Sequence, residues 1–410
     1  MDGFFRSRWV QRPEHVIELD PTSLAAGFRA AGVAAGLKQR GELDVGVLFA
    51  SQPGTVSAAR FTTNARVGAP VTVSREADCS RLRAVVANAG GSNTGDGERG
   101  LQTARATQAL AAQLLGVEAA QVGVASTGVI AAELPREPLL DGVRDAVSKL
   151  GDDADALSRA ILTSDRGPKR ACVEVTLPSG HVRVSAQAKG AGMISPRFAT
   201  MFCFLQTDAA LSRETVDLLT GVCVKRSFDR ISVDGQLSTS DTVFVQASGA
   251  SGVAVVGESE DELRLGEAID AVMRQLALEI VSDGEGAKRV GRIVVRGDPE
   301  RVEPVARAIA NSNLVKTALH GADPNFGRIL QAAGMALPPG EELICDLDIE
   351  GCRVVSAGMA VAEDPQSLAS LVVGPEVEYT LTLPGAGGET EVYFSDLSAD
   401  YVHFNADYTS

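Results

Sequence analysis

A threonine at the start of an apolar strand is the residue of this sequence best placed to do chemistry. Thr200 follows Ala199 and precedes the run MFCFL. A threonine becomes a nucleophile when the chain is cut directly before it, because the new α-amine then lies beside the hydroxyl and serves as general base. The reference pKa of an α-amine, about 7.7–8.0, is close to the pH at which an enzyme works. Composition does not show that the cut is made, and threonine is also an ordinary strand former.

Motifs for other kinds of chemistry are absent from the sequence. It contains no GxxxxGK[ST], HExxH or GxSxG, the signatures of phosphate-binding loops, zinc proteases and serine hydrolases. The stretch GSNTGDG (91–97) lacks a following lysine, so we interpret it as a turn-rich loop. The six cysteines and four histidines are scattered without CxxC spacing. We therefore expect free thiols and no metal site.

Composition narrows the class of protein. The chain has 410 residues, of which 45% are hydrophobic and 22% charged, which predicts a globular protein with two or three domains or one two-lobed unit. The net charge of −15 argues against nucleic acid as a partner. No apolar stretch approaches 18 residues and the first residues are charged, so we expect neither a membrane span nor a signal peptide, and a cytoplasmic protein.

The elements that must position Thr200 are short strands, hairpins and amphipathic helices. Valine-rich runs at 45–50, 56–62, 70–75 and 83–90 predict strands. Alternation around turns predicts hairpins at 171–188, 342–355 and 377–395. Helix starts are indicated at Ser259 with Glu262 and at Asp298 with Pro299. The predicted fold class is α/β, with mixed or antiparallel sheets and flanking helices.

The segment around Thr200 resembles a known self-cleavage segment. AKGAGMISPRFATMFCFLQTDA (188–209) is similar to that of the ornithine acetyltransferase family, the ArgJ proteins of arginine biosynthesis. Further blocks resemble the family in the same order: GFRAAGVAAGLK (27–38), VASTGVIA (124–131), ILTSD (161–165), PK (168–169), SFDRISVDGQLSTSDTV (227–243), SDGEGAKR (282–289), LVKTALHGADPNFGRIL (314–330) and DLSADYVHFNADYTS (396–410). Together they extend from residue 27 to the last residue.

The resemblance implies a fold and a processing step. The fold would consist of two α/β lobes of layered mixed sheets with flanking helices, built for a self-processing threonine nucleophile. The chain would cut itself between Ala199 and Thr200. Residues 1–199 would form an α chain, the N-terminal lobe with the oxyanion hole, and residues 200–410 a β chain, the C-terminal lobe that begins with the nucleophile. Two processed precursors would assemble into an α2β2 heterotetramer.

The resemblance also implies an activity and its residues. Thr200 would take the acetyl group from N2-acetyl-L-ornithine and transfer it to L-glutamate in a ping-pong reaction. The Thr127 hydroxyl and the Gly128 N–H are the implied oxyanion hole, a pair of donors for the tetrahedral intermediate. The implied substrate contacts are Thr163, Lys189, Thr200, Glu285, Asn405 and Ser410. Among them we expect Lys189 to hold the shared α-carboxylate and Glu285 to favour the ornithine ammonium.

Some positions depart from the family pattern, and they leave alternatives open. NAGGSNTG (88–95) is shorter than its counterpart, and Ser164 and Ser240 replace a threonine and an asparagine. These changes affect acceptor preference more than the chemistry, so an acyltransferase of secondary metabolism is one alternative. A self-processing amidase or aminopeptidase and a non-catalytic binding protein are the others. The sequence implies no cofactor and leaves open whether acetyl-CoA is a second acetyl donor.

Overall fold

The computed structural model describes residues 3–38, 41–195, 201–361 and 365–407. The strands in these ranges are, in chain order, β1 (Val16–Glu18), β2 (Phe28–Val33), β3 (Val45–Ala50), β4 (Val56–Phe61), β5 (Ala84–Gly91), β6 (Val122–Val129), β7 (Lys169–Leu177), β8 (Gly180–Lys189), β9 (Phe202–Thr207), β10 (Ile231–Ser232), β11 (Thr242–Ala247), β12 (Val290–Gly297), β13 (Asp346–Ile349), β14 (Cys352–Ser356), β15 (Met359–Ala360), β16 (Glu376–Thr382) and β17 (Gly388–Ser395). The helices are α1 (Ala69–Glu76), α2 (Gly97–Leu115), α3 (Arg136–Ser148), α4 (Asp155–Ala160), α5 (Arg213–Arg226), α6 (Glu260–Ser282), α7 (Pro299–Ala310), α8 (Asn313–His320), α9 (Phe326–Gly334), α10 (Pro365–Leu371) and α11 (Ala399–Asp407).

The strands form three mixed sheets. One has the order β1-β7-β8-β9-β11-β4, a second β2-β3-β5-β6 and a third β10-β17-β12-β16-β13-β14-β15. Each contains parallel and antiparallel neighbours: β9 is parallel to β11 but antiparallel to β8, and β5 is parallel to β6 but antiparallel to β3. The prediction of an α/β fold with mixed sheets and flanking helices is confirmed.

The first lobe has four layers. Phe202, Phe204 and Phe244 of the six-stranded sheet pack against Leu48 and Val85 of the four-stranded sheet. Helices α2 and α3 cover the outer face of the four-stranded sheet, and α5 and α6 cover the outer face of the six-stranded sheet. Side chains of β9 point alternately into the two cores, which is why the run MFCFL is apolar throughout and fully buried.

The second lobe is the seven-stranded sheet with helices α7, α8 and α9. Its core is separate from those of the first lobe and includes residues from β12, β16 and the three helices. The short strand β10, which follows α5 in the chain, pairs in parallel with β17 and so joins the first lobe to this sheet. Helix α11 follows β17 and brings the end of the described chain back toward the first lobe, where Asn405 reaches Glu285.

The predicted cut lies inside the first lobe. Strands β7 and β8 precede residue 199, strands β9 and β11 follow it, and all four are neighbours in one sheet. Residues 1–199 and 200–410 therefore share a sheet and its two cores, so separation of the two chains would expose both. The division into an α chain and a β chain stays a prediction.

One stretch predicted as a strand is a helix. PVTVSR (70–75) lies in α1, which begins after Gly68 and has Pro70 in its first turn. Proline suits that position because its fixed φ fits a helix and its missing N–H has no partner there in any case. The strand preference of Val71 and Val73 is outweighed by their burial as α1 packs on β6.

The predicted hairpin at 377–395 is also wrong, although both of its strands exist. β16 and β17 are not neighbours, because β12 lies between them, parallel to β16 and antiparallel to β17. β12 is mostly buried, and its register with a strand on each side makes it an interior strand of the sheet. In the described ranges, no helix has the length and apolarity needed to cross a membrane.

Candidate active site

Thr127 and Gly128 lie near the end of β6, on the four-stranded sheet. The Thr127 side chain is 1% exposed. Gly128 has φ +124°, and a Cβ there would lie 2.7 Å from the backbone of Gly90 and Gly91 on the neighbouring strand β5. Only glycine fits both the dihedral angle and the close approach. The sequence therefore fixes the backbone at the position where the predicted N–H donor lies.

Lys189 reaches Thr127 from the other sheet. It is the last residue of β8, is 1% exposed, and its Nζ donates a hydrogen bond to Thr127 Oγ1 at 3.1 Å. The same Nζ lies 5.9 Å from the centre of the Phe202 ring on β9. Burial lowers the pKa of Lys189, while the carboxylates of Asp165 and Asp241 act in the opposite direction. The structure thus brings together three of the predicted residues: Thr127, Gly128 and Lys189.

A buried cluster of ion pairs lies beside the backbone that follows Lys189. Lys169 Nζ lies 2.7 Å from Asp165 Oδ1 and 2.6 Å from Asp283 Oδ2. Asp165 Oδ1 also accepts the N–H of Gly190 at 2.6 Å, directly after Lys189. Burial alone would raise the pKa of Asp165, but Lys169 and Lys189 outweigh it and lower the pKa to about 2. The backbone that follows Lys189 is therefore fixed to an ionised carboxylate.

The predicted substrate residues Glu285 and Asn405 meet although 120 residues separate them. Asn405 Nδ2 donates to Glu285 Oε2 at 2.9 Å, and Ser164 Oγ donates to Glu285 Oε1 at 2.6 Å. A Cβ on Gly192 would lie 2.5 Å from this carboxylate, so the glycine leaves room for it. Both oxygens of Glu285 are thus oriented by side chains from other parts of the chain.

Thr163 belongs to the same neighbourhood as these groups. Its N–H donates to Asp165 Oδ2 at 3.1 Å, so the carboxylate that anchors Gly190 also anchors Thr163. Glu285 in turn is tied to the segment after Lys189, since its N–H donates to the carbonyl of Ala191 at 3.0 Å. Hydrogen bonds from backbone N–H groups therefore connect the segment that follows Lys189 to Thr163 and Glu285.

Three predicted residues, Ala199, Thr200 and Ser410, lie outside the described residues. The flanks of the predicted self-cleavage segment are described, however, and on each side a carboxylate accepts backbone N–H groups. Asp234 accepts the N–H groups of Met193 at 2.6 Å and Ile194 at 2.9 Å, and Asp241 accepts the N–H of Met201 at 3.0 Å. Met201 is the residue directly after Thr200.

Sequence reasoning did not assign Asp234 or Asp241 a role. The available signal was their place in the block SFDRISVDGQLSTSDTV, where acids stand beside apolar strand residues. Burial raises the pKa of Asp241 to about 8, against the opposing effects of the Met201 N–H and the Lys189 charge. In the ranges that the structure describes, its Oδ2 has no hydrogen-bond partner. Asp241 is therefore a buried carboxyl group with a raised pKa, close to the proposed nucleophile in the chain.

The arrangement suits acyl transfer. A threonine hydroxyl and a glycine N–H side by side, with a buried cation behind the hydroxyl, can stabilise the oxyanion of a tetrahedral intermediate. Within the described ranges there is no group of three or more His, Cys, Asp or Glu side chains that could hold a metal ion.

Comparison with known proteins identifies the family. The model of the ArgJ family matches residues 29–410. An arginine biosynthesis bifunctional protein ArgJ from Nitratidesulfovibrio vulgaris is 40% identical over 392 residues, which cover 94% of this chain and 98% of that protein. One from Rhodopirellula baltica is 39% identical over 403 residues, with 95% and 98% covered. The chain belongs to the ArgJ family, and it is therefore an acyltransferase of arginine biosynthesis, as the sequence predicts.

A solved structure was also found. The crystal structure of ornithine acetyltransferase from Mycobacterium tuberculosis in complex with ornithine is 36% identical to the aligned part of this chain. The alignment has a TM-score of 0.41 and covers 44% of this chain and 98% of that chain.

Proposed function

We propose that this protein transfers the acetyl group of N2-acetyl-L-ornithine to L-glutamate through an acetyl ester on Thr200. The observation that best supports this function is the contact between Lys189 and Thr127 beside Gly128, in a chain of the ArgJ family. The contact lies where the two stacked sheets meet, and β9, which begins two residues after Thr200, belongs to one of them.

The first reaction is self-cleavage. The Thr200 hydroxyl attacks the carbonyl carbon of Ala199, the acyl group moves from nitrogen to oxygen, and water hydrolyses the ester. The products are the Ala199 carboxylate and the free α-amine of Thr200. This amine has a reference pKa of about 7.7–8.0 and serves as general base in the later steps.

Acetyl transfer then takes place in two half-reactions. The Thr200 hydroxyl attacks the acetyl carbonyl of N-acetylornithine, the amide bond breaks, and ornithine leaves with the proton that the base removed. The amine of glutamate next attacks the acetyl ester, which yields N-acetylglutamate and restores the hydroxyl. Both half-reactions pass through an oxyanion that Thr127 and Gly128 stabilise, and loss of one such donor lowers kcat by about 10²–10³-fold.

Recognition of N-acetylornithine rests on Glu285. Its carboxylate, oriented by Ser164 and Asn405, would pair with the side-chain ammonium of ornithine. Thr163, Lys189 and Ser410 complete the proposed contacts, with Lys189 as the cation available to a substrate carboxylate. The α2β2 assembly, a cytoplasmic location and the absence of a cofactor remain parts of this proposal.

A product assay tests the function. Purified protein is incubated with N-acetylornithine and glutamate, and ornithine, N-acetylglutamate and acetate are measured. We expect equal amounts of ornithine and N-acetylglutamate, and none from the Thr200→Ala variant. Free acetate without N-acetylglutamate would instead indicate an amidase, and transfer to another acceptor a paralogue of different specificity. A parallel assay with acetyl-CoA as donor decides whether the enzyme also carries out that reaction.

A further inference from the structure

The contact between Lys189 and Thr127 has a defined direction. A lysine ammonium carries three N–H donors and no acceptor, so in this 3.1 Å contact Thr127 Oγ1 accepts and Lys189 donates. A hydroxyl has a single proton of its own, and that proton cannot point back at the cation. Among the residues that the structure describes, none accepts the Thr127 proton, so it is free for a ligand.

We infer that Lys189 is a positioning residue that directs the Thr127 proton toward the oxyanion. The inference rests on the proposed acyl-transfer function and assigns Lys189 a role beyond contact with a substrate carboxylate. A hydroxyl that accepts a hydrogen bond from a cation is polarised and becomes a stronger donor. The positive charge of Lys189 also favours an anion on the far side of Thr127.

Neighbouring groups fix the position and favour the charged form of Lys189. Its side chain extends from the end of β8, beside the Phe202 ring, and is 1% exposed. The next backbone N–H, of Gly190, is fixed to Asp165, whose other oxygen is occupied by the N–H of Thr163. The ionised carboxylate of Asp165 favours the ammonium form, which is the form that must donate, against the burial that lowers the pKa of Lys189.

Self-cleavage separates this role from substrate binding. The self-cleavage reaction needs an oxyanion site but involves neither ornithine nor glutamate. If Lys189 acts through Thr127, Lys189→Met slows self-cleavage. If Lys189 only holds a substrate carboxylate, Lys189→Met leaves self-cleavage unchanged and raises the KM of both substrates.

The experiment is a double-mutant cycle on the full chain. The rate at which the precursor becomes two fragments is measured for wild type, Thr127→Ala, Lys189→Met and the double variant, with kcat and KM where processing is complete. We expect losses of about 10²–10³-fold for Thr127→Ala and about 10–100-fold for Lys189→Met, the scale of one hydrogen bond to a charged group. The double variant should lie within about twofold of Thr127→Ala.

Controls make each outcome decisive. Thr127→Ser keeps the hydroxyl, so Lys189→Met should still slow cleavage in that background. Lys316→Met removes another buried lysine and should cleave like wild type, which shows that loss of a buried cation alone is not the cause. Losses that multiply in the double variant, or Lys189→Met that cleaves at the wild-type rate, overturn the inference alone. A wild-type chain that neither cleaves nor transfers acetyl overturns the proposed function as well.

Discussion

Each lobe of the molecule contains one fully buried lysine next to a phenylalanine ring. In the first lobe Lys189 Nζ lies 5.9 Å from the centre of the Phe202 ring, and in the second Lys316 Nζ lies 5.8 Å from that of Phe394. They are 1% and 2% exposed. Burial is the largest influence on the pKa of each lysine and lowers it, to about 7 for Lys316.

The partners of the two lysines differ. Lys189 donates to the side-chain hydroxyl of Thr127 on the other sheet, and in the described part of the chain no group accepts the Thr127 proton. Lys316 donates to the carbonyl and hydroxyl of Ser395 at the end of β17, and the Ser395 hydroxyl donates onward to the carbonyl of Val233. The hydrogen bonds of Lys316 therefore lead to a backbone carbonyl, whereas that of Lys189 leads to a hydroxyl with no acceptor among the described residues. Burial beside an aromatic ring is common to both lysines, so the hydrogen-bond partners are what distinguish them.

The largest expected effect concerns Thr200, the proposed nucleophile of the first lobe. Thr200→Ala removes the hydroxyl required for both proposed reactions, so the variant should remain a single chain and form no N-acetylglutamate. Gel electrophoresis and the product assay check both points. If the alanine variant still splits after residue 199, Thr200 is not the nucleophile of the cleavage.

Exchange of each lysine for methionine compares the two lobes directly. Lys189→Met should lower kcat for acetyl transfer by about 10–100-fold, while Lys316→Met should keep kcat within about threefold, because no proposed contact to substrate passes through it. Circular dichroism of both variants confirms that each is folded. Equal losses of kcat in two folded variants would remove the distinction between the lysines.

Substitutions at and beside Glu285 should have a smaller effect that differs between the two substrates. Glu285→Gln should lower kcat/KM for N-acetylornithine more than for glutamate, since only ornithine carries a side-chain ammonium. Ser164→Ala, which frees one oxygen of Glu285, should act in the same direction by about three- to tenfold, the scale of one hydrogen bond. Ser164→Thr keeps the hydroxyl and is the matched control. Equal losses for the two substrates in Glu285→Gln would refute the ammonium role.

A pH dependence of stability is expected in the second lobe. Lys316 has a pKa of about 7 when folded and 10.5 as its ordinary value. Below pH 7 both states hold the proton and the cost of a buried charge is complete; between about pH 7 and 10.5 only the unfolded state holds it, so stability rises with pH. Lys316→Met removes this pH-dependent contribution to the free energy of unfolding. The urea concentration at the unfolding midpoint, variant minus wild type, should therefore be higher near pH 6 than near pH 9. A difference independent of pH would contradict the lowered pKa.

Local signals predicted part of the fold. The side chain of Ser259 caps α6 and that of Asp298 caps α7, as their spacing indicated, because capping depends on residues adjacent in the chain. The hairpin of β7 and β8 is also as predicted. The insertion of β12 between β16 and β17 was not predictable in this way, because pairing of distant strands leaves no mark in the alternation of either strand.

The candidate site was also only partly predictable from the sequence. Motif resemblance predicted Thr127, Lys189, Glu285 and Asn405 as site residues, but not which of them are in contact. The contacts between Asn405 and Glu285 and between Lys189 and Thr127 span 120 and 62 positions and depend on the packing of layers. The role of Ser164 appears only in the structure, since at the sequence level it was a departure from the family pattern.

Intact-mass spectrometry of the wild-type protein after incubation with N-acetylornithine alone tests the central claim most directly. The proposed mechanism predicts two species, residues 1–199 and residues 200–410, with the second heavier by one acetyl group until glutamate is added and restores its mass. A single chain of 410 residues, or two fragments of which the second never gains and loses an acetyl group, would contradict it.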